Sequence, residues 1–553
     1  MYTRRKFFGL SAGSVAVLGL GSVSLAGLAG CDTGASGSAG GGTPQRGGTI
    51  TFGTTGEPDS WDLHVAASSI AAVALRAVYD SLVNEKPDGT FEPWLAKSWT
   101  VSPDGLRYTF TLRQDVTFSD GTKFNSQAVK ANFDHIAAPA TASRNAATLI
   151  GPYLRTETPD PYTAVVVFSA PYSPFLGAAS TPFLGFHSPA VLSANPAGIA
   201  SGGRNVVSTG PFTFASVQAG QQAVFNRRPG YAWAPRSAPN LGESYLDGYT
   251  VRFLPTDAAR VGALTSGQLD VADQVPATSV AQLRSSPSTT LDSRDNVGAP
   301  FTYALNVTKA PFDDPNVRVA IQSAVDTDSI TKGLFQGVYE RAWSVLTPST
   351  PGYATSVEHT WGYDPAKAKK LLDAAGYTGT DSQGYRTKGG QRLSVGLIYA
   401  SSFTTAEQLN YHTALKDALK QAGVELVLRP LDTAAVVQAF STGDYHFGAY
   451  SLSTPDGSLL RETFYSKDLP SAGGSNVSRV ADPQLDGWLD QALATQDVTA
   501  RDTLYGKVQQ RVLAQAFALP TYVGKRIFGV QSRVHGFALD VQNLPHFERV
   551  WVS

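Results

Sequence analysis

Residues Thr404–Leu428 read TTAEQLNYHTALKDALKQAGVELVL. Thr404 with Glu407 makes a capping-box pattern, in which a hydroxyl and a carboxylate three residues apart satisfy the free N–H groups of a helix start. Leu415 and Leu419, four apart, mark one apolar face, Gly423 ends the helix, and Val424–Leu428 follows as an apolar strand. A helix running straight into a strand is the unit of an α/β lobe. The same grammar recurs outward from this stretch. Asp364-Pro365 supplies an N-cap and first-turn proline, Ala368, Leu371, Leu372 and Ala375 the apolar face, and Gly376 the stop; Asp314-Pro315 opens another helix in the same way. Leu106, Tyr108, Phe110 and Leu112 alternate with Arg107, Thr109, Thr111 and Arg113, the period of a half-buried strand, and Ser119-Asp120-Gly121-Thr122 follows as a turn. Tyr249, Val251 and Phe253 alternate likewise, and Thr49–Thr54 is a short apolar strand. The spacing has no fixed period, which argues for mixed α/β domains and against a repeat array.

The 553 residues, 42% of them hydrophobic, suffice for two or three packed domains. Lysine plus arginine total 44 against 45 acidic residues, so no basic field exists to gather nucleic acid, which is excluded as a partner. Charged residues make up only 16%, and 53 glycines with 33 prolines imply many turns, which excludes a coiled coil. The chain has one cysteine, Cys31, so a disulfide within it is impossible.

Residues 1–30 place Arg4, Arg5 and Lys6 ahead of an apolar, glycine-rich run, the order of a secretory signal peptide. Thr3-Arg4-Arg5-Lys6-Phe7-Phe8 resembles a twin-arginine export signal, and Leu28-Ala29-Gly30-Cys31 resembles the lipobox of bacterial lipoproteins. Cys31 is therefore expected to carry lipid, anchoring the protein at the outer face of the cell membrane without spanning it. A transmembrane anchor is the alternative, weakened by the many Gly and Ser residues of the run. Residues 31–46 then form a flexible tether, whose composition cannot bury apolar surface.

Catalytic patterns are sparse. Gly9-Leu10-Ser11-Ala12-Gly13 fits a nucleophile elbow but lies inside the signal. The eight histidines (His64, His135, His187, His359, His412, His446, His535 and His546) show no pairing at metal-ligand spacing of three or four, and there is no phosphate-binding Gly-Lys-Ser loop. Asp326 and Asp328 stand between two helices, where capping is their expected role. Neither a cofactor nor a metal is expected.

Taken together, several segments resemble the extracellular solute-binding proteins of the peptide and nickel class of ABC transporters, family 5. They are Pro93-Trp94-Leu95-Ala96-Lys97-Ser98-Trp99, Thr209-Gly210-Pro211-Phe212, Ser266-Gly267-Gln268-Leu269-Asp270, Ala310-Pro311-Phe312-Asp313-Asp314 and Tyr363-Asp364-Pro365-Ala366-Lys367-Ala368 with Ala375-Gly376-Tyr377. The resemblance runs from about Gly47 to the C-terminus. It implies an α/β, periplasmic-binding-protein-like fold: two lobes with a hinge and an additional inserted domain. Lobe I would take 47–80, 206–295 and 520–553, the insert 81–205, and lobe II 296–519. It also implies no enzymatic activity, a small-molecule or peptide solute as ligand, most simply an oligopeptide or dipeptide, and the permease subunits of an ABC importer as partners. A metal chelate or amino-acid-derived solute is the alternative ligand, and a secreted hydrolase the alternative class.

By the same resemblance, the loop Gly56-Glu57-Pro58-Asp59-Ser60-Trp61-Asp62-Leu63-His64 lines the cleft through Trp61, Asp62 and His64; the other reading puts Trp61 in the core and Asp59 on a turn. Tyr303 and Asn306 lie on a segment that resembles a cleft-facing strand, with packing as the other reading. Peptide-binding relatives carry an ammonium-pairing aspartate where this chain has Leu452 or Ser453. Tyr450 and Ser453 belong to this cleft segment, and Asp456 either replaces the anchor or caps the helix that begins at Leu459.

Overall fold

The computed structural model describes residues 43–553; the expected signal peptide, Cys31 and most of the expected tether lie outside the described residues. Three sheets organise the chain. The first has seven strands in the order Thr289–Asp295, Lys525–Gln531, Val271–Ala272, Thr49–Thr54, Gly248–Phe253, Gln222–Arg227, Phe212–Gln218. Its centre is parallel: Thr49–Thr54 pairs with Gly248–Phe253 on one side and with Val271–Ala272 on the other. Parallel strands need cover on both faces, and Phe52, Tyr249 and Val251 are accordingly buried.

The second sheet runs Glu340–Arg341, Ala518–Val523, Phe301–Leu305, Phe447–Tyr450, Ser394–Ala400, Glu425–Leu431. Ser394–Ala400 and Glu425–Leu431 are parallel and joined by the helix Ala406–Gln421, whose Tyr411, Leu415 and Leu419 are buried. The capping box sits one residue later than the sequence suggests. Thr405 is the N-cap and Gln408 closes the box, because the Thr404 hydroxyl donates to the Ala400 carbonyl at 2.9 Å and Glu407 points toward the backbone N–H of Ala277. The helices Pro315–Ala324 and Pro365–Ala374 start on Asp314 and Asp364 as expected, and Asp326 caps Thr327–Phe335.

The third sheet is antiparallel, Ala96–Val101, Arg107–Leu112, Thr163–Phe168, Tyr153–Asp160, and the helix Ser126–Ala137 packs on it. Its core holds Tyr108, Phe110, Phe133, Phe168 and Phe175.

Two antiparallel strands pass from the first sheet to the second. Thr289–Asp295 continues through 296–300 into Phe301–Leu305, and Ala518–Val523 turns through Gly524 alone into Lys525–Gln531. The changeover falls at Gly524 rather than at 520, since Val523 still pairs with Glu340 in the second sheet. Asn296 N–H donates to the Gly524 carbonyl at 2.8 Å, and a Cβ at Gly524 would stand 2.9 Å from the Asn296 amide. These two strands, paired with each other in both sheets, are the crossings between the sheets and form a hinge. Away from it, the lobes meet where Ser173 donates to the carbonyls of Ala492 and Leu493 and where the Tyr108 hydroxyl donates to Gln496. Among the described residues no helix is long and apolar enough to cross a membrane.

Candidate functional site

The loop 56–64 turns inward. Trp61 is 3% exposed, edge-on to Phe214 at 4.8 Å and against Phe225 and Phe253, which leaves it no face toward a cleft. A Cβ on Gly202, at φ +72°, would reach within 2.8 Å of its ring, so only glycine lets the tryptophan seat. The Asp59 carboxylate accepts from the N–H groups of Ala67 and Ser68, closing the turn before the helix Ser69–Leu75.

Asp62 and His64 lie in the same buried layer and meet the inserted segment there. Asp62 Oδ1 accepts from His187 Nε2 at 3.0 Å and from the N–H of His64, while His187 Nδ1 meets the Tyr79 hydroxyl at 3.2 Å. His64 Nε2 donates to the Gly185 carbonyl at 2.9 Å, which leaves the lone pair on Nδ1, 3.1 Å from Nδ1 of His135. Burial, followed by the His187 charge, lowers His64 to about 3. Burial alone would raise Asp62, but the charge and hydrogen bond of His187 override it and hold the carboxylate well below its ordinary range. Histidines 64, 135 and 187 converge from distant points of the chain, which a search for close spacing cannot detect.

Tyr303 and Asn306 hold the second sheet together. Tyr303 is fully buried, its hydroxyl 2.7 Å from His412 Nδ1 and its ring beside Phe301 and Phe447. The Asn306 amide donates to the carbonyls of Gly443 and Tyr445, and its oxygen accepts from the N–H of Thr308.

The segment 450–458 is placed differently. It leaves the second sheet at Tyr450 and lies on the hinge strand, where Ala299 N–H donates to the Leu452 carbonyl at 2.8 Å. Gly298, at φ +110°, permits the approach: a Cβ there would stand 2.2 Å from that carbonyl. Ser453 is exposed, and Tyr450 is half-buried with a hydroxyl that has no partner among the described residues. Asp456 is 8% exposed and accepts from the N–H of Ser458 at 2.9 Å. The helix Leu459–Phe464 itself starts on Ser458, whose side chain makes no cap bond.

Asp456 sits at the centre of a group of acids. Burial, then the charges of Asp456 and Asp540, push Glu85 up to about 8. Burial and Asp456 raise Glu462 to about 7, and burial raises Asp502, with Asp456 contributing. Glu85 belongs to the strand Val83–Glu85 before the third sheet, Glu462 and Asp502 to helices of the second lobe, and Asp540 to the C-terminal segment. Against these carboxylates stand Arg76, 3.4 Å from Asp540, and Arg501, whose buried Nε has no partner among the described residues. Burial, with the Asp456 charge adding to it, thus raises Glu85, Glu462 and Asp502 from three separate elements, and a place where an incoming cation is favoured results. Glu85, Glu462, Asp502 and Arg501 carry no local sequence signal, because three separate chain segments bring them together.

Comparison with known proteins agrees with this architecture. The glutathione-binding protein GsiB of Escherichia coli K12 is 28% identical over 484 residues, covering 86% of this chain and 89% of that protein. The AgaA structure in complex with agropinic acid, from A. tumefaciens R10, is 27% identical with a TM-score of 0.73, covering 92% of this chain and 99% of that one. NikA from Brucella suis, in complex with Fe(III)-EDTA, shares the fold with a TM-score of 0.78 at 24% identity, covering 92% of this chain and 100% of that one. The model of bacterial extracellular solute-binding proteins, family 5 Middle, matches residues 90–469. Two sheets joined by a double-stranded hinge, a third sheet set into the first lobe and this match over most of the chain give one conclusion: the protein belongs to the bacterial extracellular solute-binding proteins of family 5.

Proposed function

We propose that this protein captures a small solute bearing an ammonium or guanidinium group, a short peptide or amino-acid-derived compound, between its lobes and delivers it to the permease of an ABC importer. The observation that carries this reading is the imbalance of charge around Asp456: its carboxylate adds to the burial that raises Glu85, Glu462 and Asp502, with Arg501 as the cation that opposes it at Glu85 and Asp502. Bringing like charges together out of water is unfavourable, and a guest cation relieves it. Asp456 and Glu85 would pair with that cation, Tyr450 and Ser453 would offer hydroxyls, and Arg501 would meet a carboxylate at the solute's other end. Closure of the lobes around the solute would shift the population toward the form a permease recognises. Lipid on Cys31 and the following tether would keep the protein at the outer membrane face.

The named solutes of the relatives, glutathione for GsiB and agropinic acid for AgaA, support a compact organic ligand. The test is native mass spectrometry of the protein purified from its own producer, with identification of whatever is released. A peptide ladder or one amine-bearing compound is the expected result. A solute with no cationic group would overturn the reading.

A further inference from the structure

We infer that Asp62, His64, His135 and His187 form a binding site for one divalent transition-metal ion of the zinc class, set between the first lobe and the insert, apart from the carboxylates around Asp456. One ligand atom from each of Asp62, His64 and His187 lies within 4.8 Å of the other two, and all three residues are buried. His135 adds a fourth donor through its Nδ1, 3.1 Å from Nδ1 of His64.

Three features point to a metal. Ligands about 2.0–2.2 Å from a tetrahedral ion lie about 3.3 Å apart; the Asp62–His187 and His64–His135 contacts, at 3.0 and 3.1 Å, are already close to that. Each of the two fully buried rings is also held at its far nitrogen, His64 by the Gly185 carbonyl and His187 by the Tyr79 hydroxyl. Such outer bonds fix ring orientation and tautomer in metal sites. Finally, three imidazoles and one carboxylate suit zinc, cobalt or nickel rather than calcium or magnesium, which take oxygen ligands. Half-buried His135 gives the ion a path in. An ion there would replace two hydrogen bonds with four coordinate bonds and tie the loop at 62–64 to the insert.

The test strips the full chain with a chelator and titrates it with Zn2+ and separately with Co2+. The expected result is one ion per chain by elemental analysis, the intense visible bands of tetrahedral Co2+, and a raised melting temperature with Zn2+. His135→Gln, at the accessible edge where the fold tolerates change, should weaken Zn2+ binding about 10-fold or more, while Asp456→Asn should leave it unchanged. Absence of stoichiometric metal would overturn the inference. So would retention that is indifferent to His135→Gln or abolished by Asp456→Asn, the latter placing the ion among the carboxylates as cargo.

Discussion

The layer around Asp62 and the group of acids around Asp456 are both clusters of ionisable side chains drawn from separate chain segments, and they are built in opposite ways. Around Asp62 the carboxylate meets the His187 ring and the His64 N–H, His135 meets the His64 ring, and each ring nitrogen of His64 and His187 has a partner within 3.2 Å. Around Asp456, the charge of one carboxylate works against others, Glu85 and Glu462, and both the Arg501 Nε and the Tyr450 hydroxyl lack partners among the described residues. A buried polar network with every group satisfied rigidifies the fold. One left unbalanced stores unfavourable interaction that a ligand can remove. The first region reads as a fixed joint and the second as a place for a guest.

The largest effect is expected for Asp62→Ala. Removing the single anion of the joint should cost about 3–5 kcal/mol in denaturant unfolding, with solute affinity unchanged in the folded fraction. A cost under about 1 kcal/mol would remove the distinction between a charge-bearing joint and an ordinary surface pair. The acid limb of the stability curve should follow. Asp62 is depressed in the folded state, so its contribution is complete above the ordinary carboxylate range and is lost as pH falls below it.

Asp456→Asn should do the reverse: the affinity of the recovered solute falls about 10–100-fold by calorimetry, and the melting temperature of the free protein stays level or rises. A drop in stability with affinity intact would make Asp456 a structural residue of the turn before Leu459 and nothing more.

The effect of pH on affinity is smaller. Glu85, at about 8, is about one-tenth ionised at pH 7 and about nine-tenths at pH 9. Affinity for a cationic solute should therefore rise up to about tenfold over that interval, and Glu85→Gln should flatten the profile. Free-protein stability should run the other way. The folded state keeps a proton that the unfolded chain releases in the ordinary carboxylate range, so this contribution is lost as pH rises through about 8. A control completes the set: Thr405→Ala removes the cap of Ala406–Gln421 and should cost about 1 kcal/mol by thermal unfolding, with solute and metal affinities untouched.

Much of the fold was legible because its cues are local. Asp314 and Asp364 start helices since an aspartate before a proline satisfies the first free N–H groups and fixes φ, whatever the rest of the chain does. The alternation in Arg107–Leu112 and Gly248–Phe253 names strands for the same reason. Even the one-residue shift from Thr404 to Thr405 was a local choice between two adjacent threonines, decided by which hydroxyl the preceding strand's Ala400 carbonyl could reach.

The candidate sites are another matter. Trp61, Asp62 and His64 belong to one loop, yet whether that loop faces a cleft or an interior depends on Phe214, Phe225, Gly202 and His187, more than a hundred residues away. The α/β class, the helix starts and strands, the single cysteine at Cys31 and the resemblance to a solute-binding family could all be read from local residue patterns. The folded structure was needed to show which ionisable groups meet: that Asp456 acts on Glu85, Glu462 and Asp502, and that His187 reaches Asp62 while His135 reaches its loop neighbour His64. The reason is physical: capping and alternation act over a few residues of backbone, whereas a charge is balanced or left unbalanced by whatever the folded chain brings within a few ångströms of it.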